Sequence, residues 1–174
     1  MIKPIVSGLA AALLLVGCAT VANIAGDVAT DDGHDYPEAA SYDVSEDAMV
    51  DVDAALARAS ESGKRVMLVM GANWCHDSLA LAGWLATERF QALVDEHYEL
   101  VFINVGMPQR GDGHNLHVAR RFGVDDLPGT PNVLVLTPEG ELVNGETATT
   151  WRDAASRPED AIFLELELLA NRAV

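Results

Sequence analysis

The chain reads as one α/β domain: parallel strands joined by helices, then an antiparallel hairpin and a last helix. Three observations predict this. Two largely apolar runs, Val66-Met67-Leu68-Val69-Met70 and Leu100-Val101-Phe102-Ile103-Asn104-Val105, have the pattern of strands covered on both faces. Segments with helical periodicity lie before, between and after them. A third run, Asn132-Val133-Leu134-Val135-Leu136, is followed by the turn Thr137-Pro138-Glu139-Gly140 and a short partner, Glu141-Leu142-Val143. The order helix, strand, helix, strand, helix, strand, strand, helix then leaves few topologies open.

Each element has a local reason. Asp51 or Asp53 can cap a first helix that holds Ala54, Leu56 and Ala57 and stops at Ser62-Gly63. A second helix starts at Cys75 and runs, with a break or bend, to His97; Leu79, Leu81, Leu85, Leu93 and Val94 form its buried side. His97, at that helix end, reads as a cap or surface residue. A polar, Gly-rich loop from Pro108 to Gly113 leads to a short helix over Leu116 to Phe122. The last helix opens on a capping box, Ser156-Arg157-Pro158-Glu159, and places Ile162, Phe163, Leu166, Leu169 and Ala170 on one face.

The N-terminal third is different. Met1-Ile2-Lys3 and the apolar stretch Ile5–Val16 are too short for a span of ~20 residues but suit a signal-peptide core. Leu15-Val16-Gly17-Cys18 reads as a lipobox, so residues 1–17 are expected to be removed and Cys18 lipidated. From Val21 to Asp53 there are ten acidic residues and no Lys or Arg, which argues for a solvated tether over 18–44, reaching about Asp43. His34 lies in it with no expected role. Residues 45–174, enough for one core and too few for two, form the domain.

The formal charge of −16 becomes −17 once Lys3 leaves, with ten basic against 27 acidic side chains. That argues against nucleic acid and against a basic patch on anionic lipid. Membrane attachment is expected through the acyl chains alone. The protein is placed in a bacterial cell envelope, facing the periplasm. Ala19 after the lipidated residue favours the outer over the inner membrane.

Trp74-Cys75-His76-Asp77-Ser78 carries the chemistry. A cysteine at the first turn of a helix leaving a buried strand meets unpaired N–H groups and the positive end of the dipole, the place for a reacting thiolate. Once Cys18 is a thioether, Cys75 is the only thiol, and no internal disulfide is possible. His76 is ionisable near neutral pH and could act as acid or base, or be an exposed residue without a role. Trp74 either packs beside the sulfur and offers substrate an apolar contact or belongs to the core. His114 and His117, near Asp112, have the spacing of a metal pair, but exposed histidines are the favoured reading. No metal or other cofactor is expected.

Trp-Cys-x-x-Ser at a strand-to-helix junction, with Thr130-Pro131 before a Val/Leu strand, resembles the thioredoxin superfamily. Asn115-Leu116, Arg121-Phe122-Gly123-Val124 and Gly129-Thr130-Pro131 also fit thioredoxin-like lipoproteins and periplasmic proteins that carry Trp-Cys-His-Asp-Ser. The resemblance covers about Asp51 to Ala170. It implies a three-layer α/β/α fold with a mixed sheet, a cis peptide before Pro131, and Thr130 beside Cys75 with backbone groups open to an extended peptide. Two positions depart from it. Ser78 stands where a resolving cysteine would be, and Val69 where a buried Asp serves as proton acceptor.

The expected function is therefore monothiol exchange. Cys75 is the catalytic residue, with Ser78 and His76 beside it, and Trp74, Thr130 and Pro131 form the substrate side. Protein thiols or disulfides, or glutathione, are the partners, and the domain acts as a monomer. The alternative is a peptide-binding module that has kept the edge and lost turnover.

Overall fold

The computed structural model describes residues 35–43 and 48–173. The expected leader 1–17, the lipidation residue Cys18 and His34 lie outside the described residues. Among the described residues no helix is long and apolar enough to cross a membrane.

Helix α1 (Ala48–Ser62) buries Ala48, Val52, Ala55 and Ala59, a stripe spaced four, three and four residues apart. It starts earlier than Asp51 and Asp53, which both lie inside the helix. Asp53 instead meets Arg121 at 2.5 Å. The helix ends as expected at Ser62, with Gly63 at φ +75°, the left-handed position glycine takes without strain.

Strand β1 (Arg65–Gly71) is central and almost wholly buried. It pairs in parallel with β2 (Tyr98–Asn104) and antiparallel with β5 (Asn132–Leu136), giving the order β2-β1-β5. Val66, Leu68 and Met70 face one core with α1 and the short helix α4 (Leu116–Arg121). Met67 and Val69 face the other, with α2 (His76–Leu85), α3 (Glu88–His97) and α5 (Glu159–Asn171). The three layers expected from two-sided apolar strands are present, and each buried Leu, Ile or Phe in them contributes about 1.5–3 kcal/mol.

The break in the second helical segment falls at Ala86-Thr87, where the Thr87 hydroxyl donates to the Trp84 carbonyl at 2.8 Å. The Pro108–Gly113 loop is more regular than expected. Strands β3 (Gly106–Met107) and β4 (Asp112–Gly113) pair as a small hairpin around a 3-10 turn, Pro108–Arg110.

Three expectations are corrected. The hairpin partner of β5 shrinks to one bridge, Leu136 with Leu142. The buried Asn144 amide replaces much of a strand by accepting from Val135 N and donating to Val133 O, both at 2.9 Å. The capping box does not form, because the Ser156 hydroxyl donates to the Asp153 carbonyl and the helix begins at Glu159. The tether does not stay solvated as far as Asp43. Tyr42 is 1 % exposed and belongs to the core beside Val69 and Val133.

The segment around Tyr42 is clamped by backbone and side chain. Tyr42 N donates to Asn73 Oδ1 at 3.0 Å, and its carbonyl accepts from Asn73 Nδ2 at 3.2 Å and Asn104 Nδ2 at 3.0 Å. Ala39 N donates to the Leu79 carbonyl at 3.1 Å. Gly83 in α2 is required here, since a Cβ at that position would run into the Pro37 carbonyl group.

Candidate functional site

The site forms where β1 ends and α2 begins. Cys75 occupies the N-cap of α2 (φ −100°, ψ 118°), so the helix starts one residue later than expected, at His76. The cysteine makes no side-chain capping bond. Its thiol instead donates to the Thr130 carbonyl at 3.4 Å, across 55 residues of chain. The Thr130–Pro131 peptide is cis, as the resemblance implies. Cys75 is 7 % exposed, so the sulfur sits just below the surface. Among the described residues it is the free cysteine.

Ser78 lies one turn on and is completely buried. Its hydroxyl accepts the Ala72 N–H at 3.3 Å, which closes the turn that carries Cys75. Gly71 makes room for this arrangement. A Cβ there would lie 2.5 Å from the Tyr42 ring and 2.7 Å from Ser78 Oγ. Tyr42 reaches the same helical turn, its hydroxyl donating to the Ser78 carbonyl at 3.2 Å. Burial pushes the Tyr42 phenol well above its usual range and keeps it a neutral donor. Val69, where the family often has a buried acid, is apolar and fully buried.

The neighbours divide. His76 is exposed, with Nε2 3.2 Å from Asp77 Oδ2. Asp77 is nearly buried, and its other oxygen accepts from Ala155 N at 2.9 Å, tying α2 to the 3-10 turn Ala154–Ser156. Trp74 is 48 % exposed and not part of the core. Its indole N–H donates to the Gly106 carbonyl at 3.0 Å, which pins the ring to the small hairpin beside the cysteine turn. His114 packs over Gly106, where a Cβ would meet its ring at 2.6 Å. His117 is exposed on α4. Among the described residues no three His, Cys, Asp or Glu side chains gather as a metal site.

The structure thus brings Cys75, Thr130 and Pro131 together, with Ser78 beneath and Trp74 at the rim. It turns His76 toward Asp77. Sequence reasoning missed Tyr42, Asn73 and Asn104, which brace the cysteine turn from behind. An aromatic residue in an otherwise acidic segment was the available signal. Two surface cavities, of about 520 and 680 Å³, lie elsewhere: one is lined by Lys64, His97 and Thr137, the other by Thr147, Leu168 and Leu169.

Residues 47–138, over half the chain, match the family model described as Thioredoxin-like. The chain belongs to the thioredoxin superfamily. Among solved structures, this thioredoxin-like chain is similar to a disulphide isomerase from Xylella fastidiosa Temecula1. The two are 31 % identical with a TM-score of 0.64, over 72 % of this chain and 93 % of that one. No curated protein matches the chain significantly.

Proposed function

We propose that this thioredoxin-like chain exchanges thiols and disulfides through the single sulfur of Cys75, forming mixed disulfides with protein thiols or glutathione. The observation that carries this is the Cys75 thiol at a helix N-cap, hydrogen-bonded to the carbonyl that precedes a cis proline. The similarity to a disulphide isomerase supports it.

The geometry suggests how binding and chemistry are linked. Thr130 O accepts the thiol hydrogen in the free protein. When Cys75 gives up its proton to solvent, that bond is lost. The thiolate then attacks one sulfur of a disulfide, forming a new S–S bond and expelling the other sulfur as thiolate. The freed Thr130 carbonyl can accept an N–H from an extended substrate segment, as in strand addition. Ser78 cannot resolve the product, so an external thiol completes the cycle.

The expected result is direct. Full-length protein carrying Cys18→Ser, treated with oxidised glutathione, gains one glutathione by intact mass. The adduct persists until dithiothreitol is supplied, and adding Cys75→Ala abolishes it. If no adduct forms, the reading yields to a non-catalytic peptide-binding module. The low exposure of Cys75 favours that second reading.

The location belongs to the same proposal. Cleavage before Cys18 and acylation there would hold the domain, as a monomer, on the periplasmic side of a bacterial membrane, the outer more readily than the inner. Intact mass of membrane-extracted protein should show a chain starting at Cys18 with added acyl mass; an unacylated periplasmic protein would end this part.

A further inference from the structure

Arg152 packs against the segment that leads into Thr130. Its methylenes cover Gly129: a Cβ at that glycine would be 2.8 Å from Arg152 Cδ and 3.7 Å from Nη1. Gly129 directly precedes Thr130, whose carbonyl accepts the Cys75 thiol at 3.4 Å. With consecutive Cα atoms 3.8 Å apart, this path holds the guanidinium within about 15 Å of the sulfur, about the length of a small peptide disulfide.

The charge on this arginine is uncommitted. Arg58, Arg89, Arg121 and Arg157 each hold a carboxylate. Arg152 is exposed and makes no ion pair or hydrogen bond with any described residue, although Asp153 adjoins it. In a chain of formal charge −16, carboxylates are not scarce. An exposed, unpaired cation packed on the segment that leads into Thr130 is placed to meet the negative end of a molecule whose sulfur has reached Cys75.

We propose that Arg152 is a specificity-determining residue that selects small anionic disulfides, those with carboxylates near the sulfur, for attack by Cys75. This rests on the reading of Cys75 as an exchange thiol and deepens it by naming the substrate class. Cys75 thiolate attacks the disulfide of such a molecule, one half joins Cys75, and the other leaves as an anionic thiolate. Arg152 attracts the negative charge during approach and holds the carboxylate of the half that stays. Its planar fork suits that group better than a lysine.

The test compares three disulfides of different charge on full-length protein carrying Cys18→Ser: oxidised glutathione (anionic), 2-hydroxyethyl disulfide (neutral) and cystamine (cationic). Rates of mixed-disulfide formation at Cys75 are followed by intact mass. Arg152→Glu should slow glutathione transfer about twofold to fivefold relative to the neutral disulfide, the size of one exposed ion pair lost. It should speed the cystamine reaction, Arg152→Ala should fall between, and 1 M salt should shrink the differences. Equal effects of Arg152→Glu on all three disulfides would overturn the inference and leave a structural role for Arg152. Failure of the unsubstituted Arg152 protein to react with even the neutral disulfide would instead overturn the exchange function, and this inference with it.

Discussion

Ser78→Cys should turn a site that accumulates mixed disulfides into one that clears them. Ser78 sits three residues after Cys75, on the same face of α2, so an introduced thiol would stand where a resolving group is needed. Treated with oxidised glutathione, the Cys18→Ser/Ser78→Cys protein should bind glutathione only transiently. It should end lighter by two hydrogens, with an internal disulfide and no adduct. In insulin reduction with dithiothreitol it should exceed the Ser78 protein by at least about tenfold, because resolution becomes intramolecular. A modest structural cost accompanies this. Ser78 Oγ accepts the Ala72 N–H in a fully buried place. Sulfur is a weak acceptor, so about 1 kcal/mol of stability should be lost. If the variant stays inert and its parent resists glutathione, the sulfur no longer works in exchange and the peptide-binding reading stands.

Much of this site was legible because its signals are local. The alternation of Val66, Leu68 and Met70 against Met67 and Val69 needs no knowledge of the partners to predict two covered faces. The cysteine at the strand-to-helix junction and the Thr130-Pro131 step are short motifs, and the structure brings them to 3.4 Å. The misses share another cause, which is that tertiary contacts decided them. An acidic run with several capping candidates cannot say which carboxylate caps α1; the helix starts at Ala48, and Asp53 pairs with Arg121 instead. Ser156 has the spacing of a capping box, yet its hydroxyl is taken by Asp153 O in a 3-10 turn. Asn144 stands in for a strand through a side-chain amide, which no backbone pattern encodes. Charge density marked residues 35–43 as solvated, and one buried ring outweighs it.

Tyr42→Ala is expected to be among the most destabilising single substitutions in the domain. The ring is 1 % exposed, meets Phe102 edge-on at 5.4 Å and packs against Gly71 at the end of β1. Removing a buried aromatic typically costs about 3–5 kcal/mol, and the backbone bonds to Asn73 and Asn104 can hold the chain but not fill the space. Denaturant unfolding should show the loss as a lower midpoint at unchanged slope. Tyr42→Phe separates ring from hydroxyl, for it keeps the packing, loses only the bond to the Ser78 carbonyl and should cost about 1 kcal/mol. The two variants also differ from wild type in alkali. Burial raises the phenols of Tyr42 and Tyr98 in the folded protein, whereas in the unfolded chain they ionise near pH ~10. Their contribution is therefore complete below that pH and declines as pH rises through it, by about 1.4 kcal/mol per pH unit for each tyrosine. Tyr42→Phe should flatten the decline by one tyrosine's share. An alkaline slope unchanged in that variant, or a Tyr42→Ala protein as stable as wild type, would mean that the segment before α1 is not docked on the domain in solution.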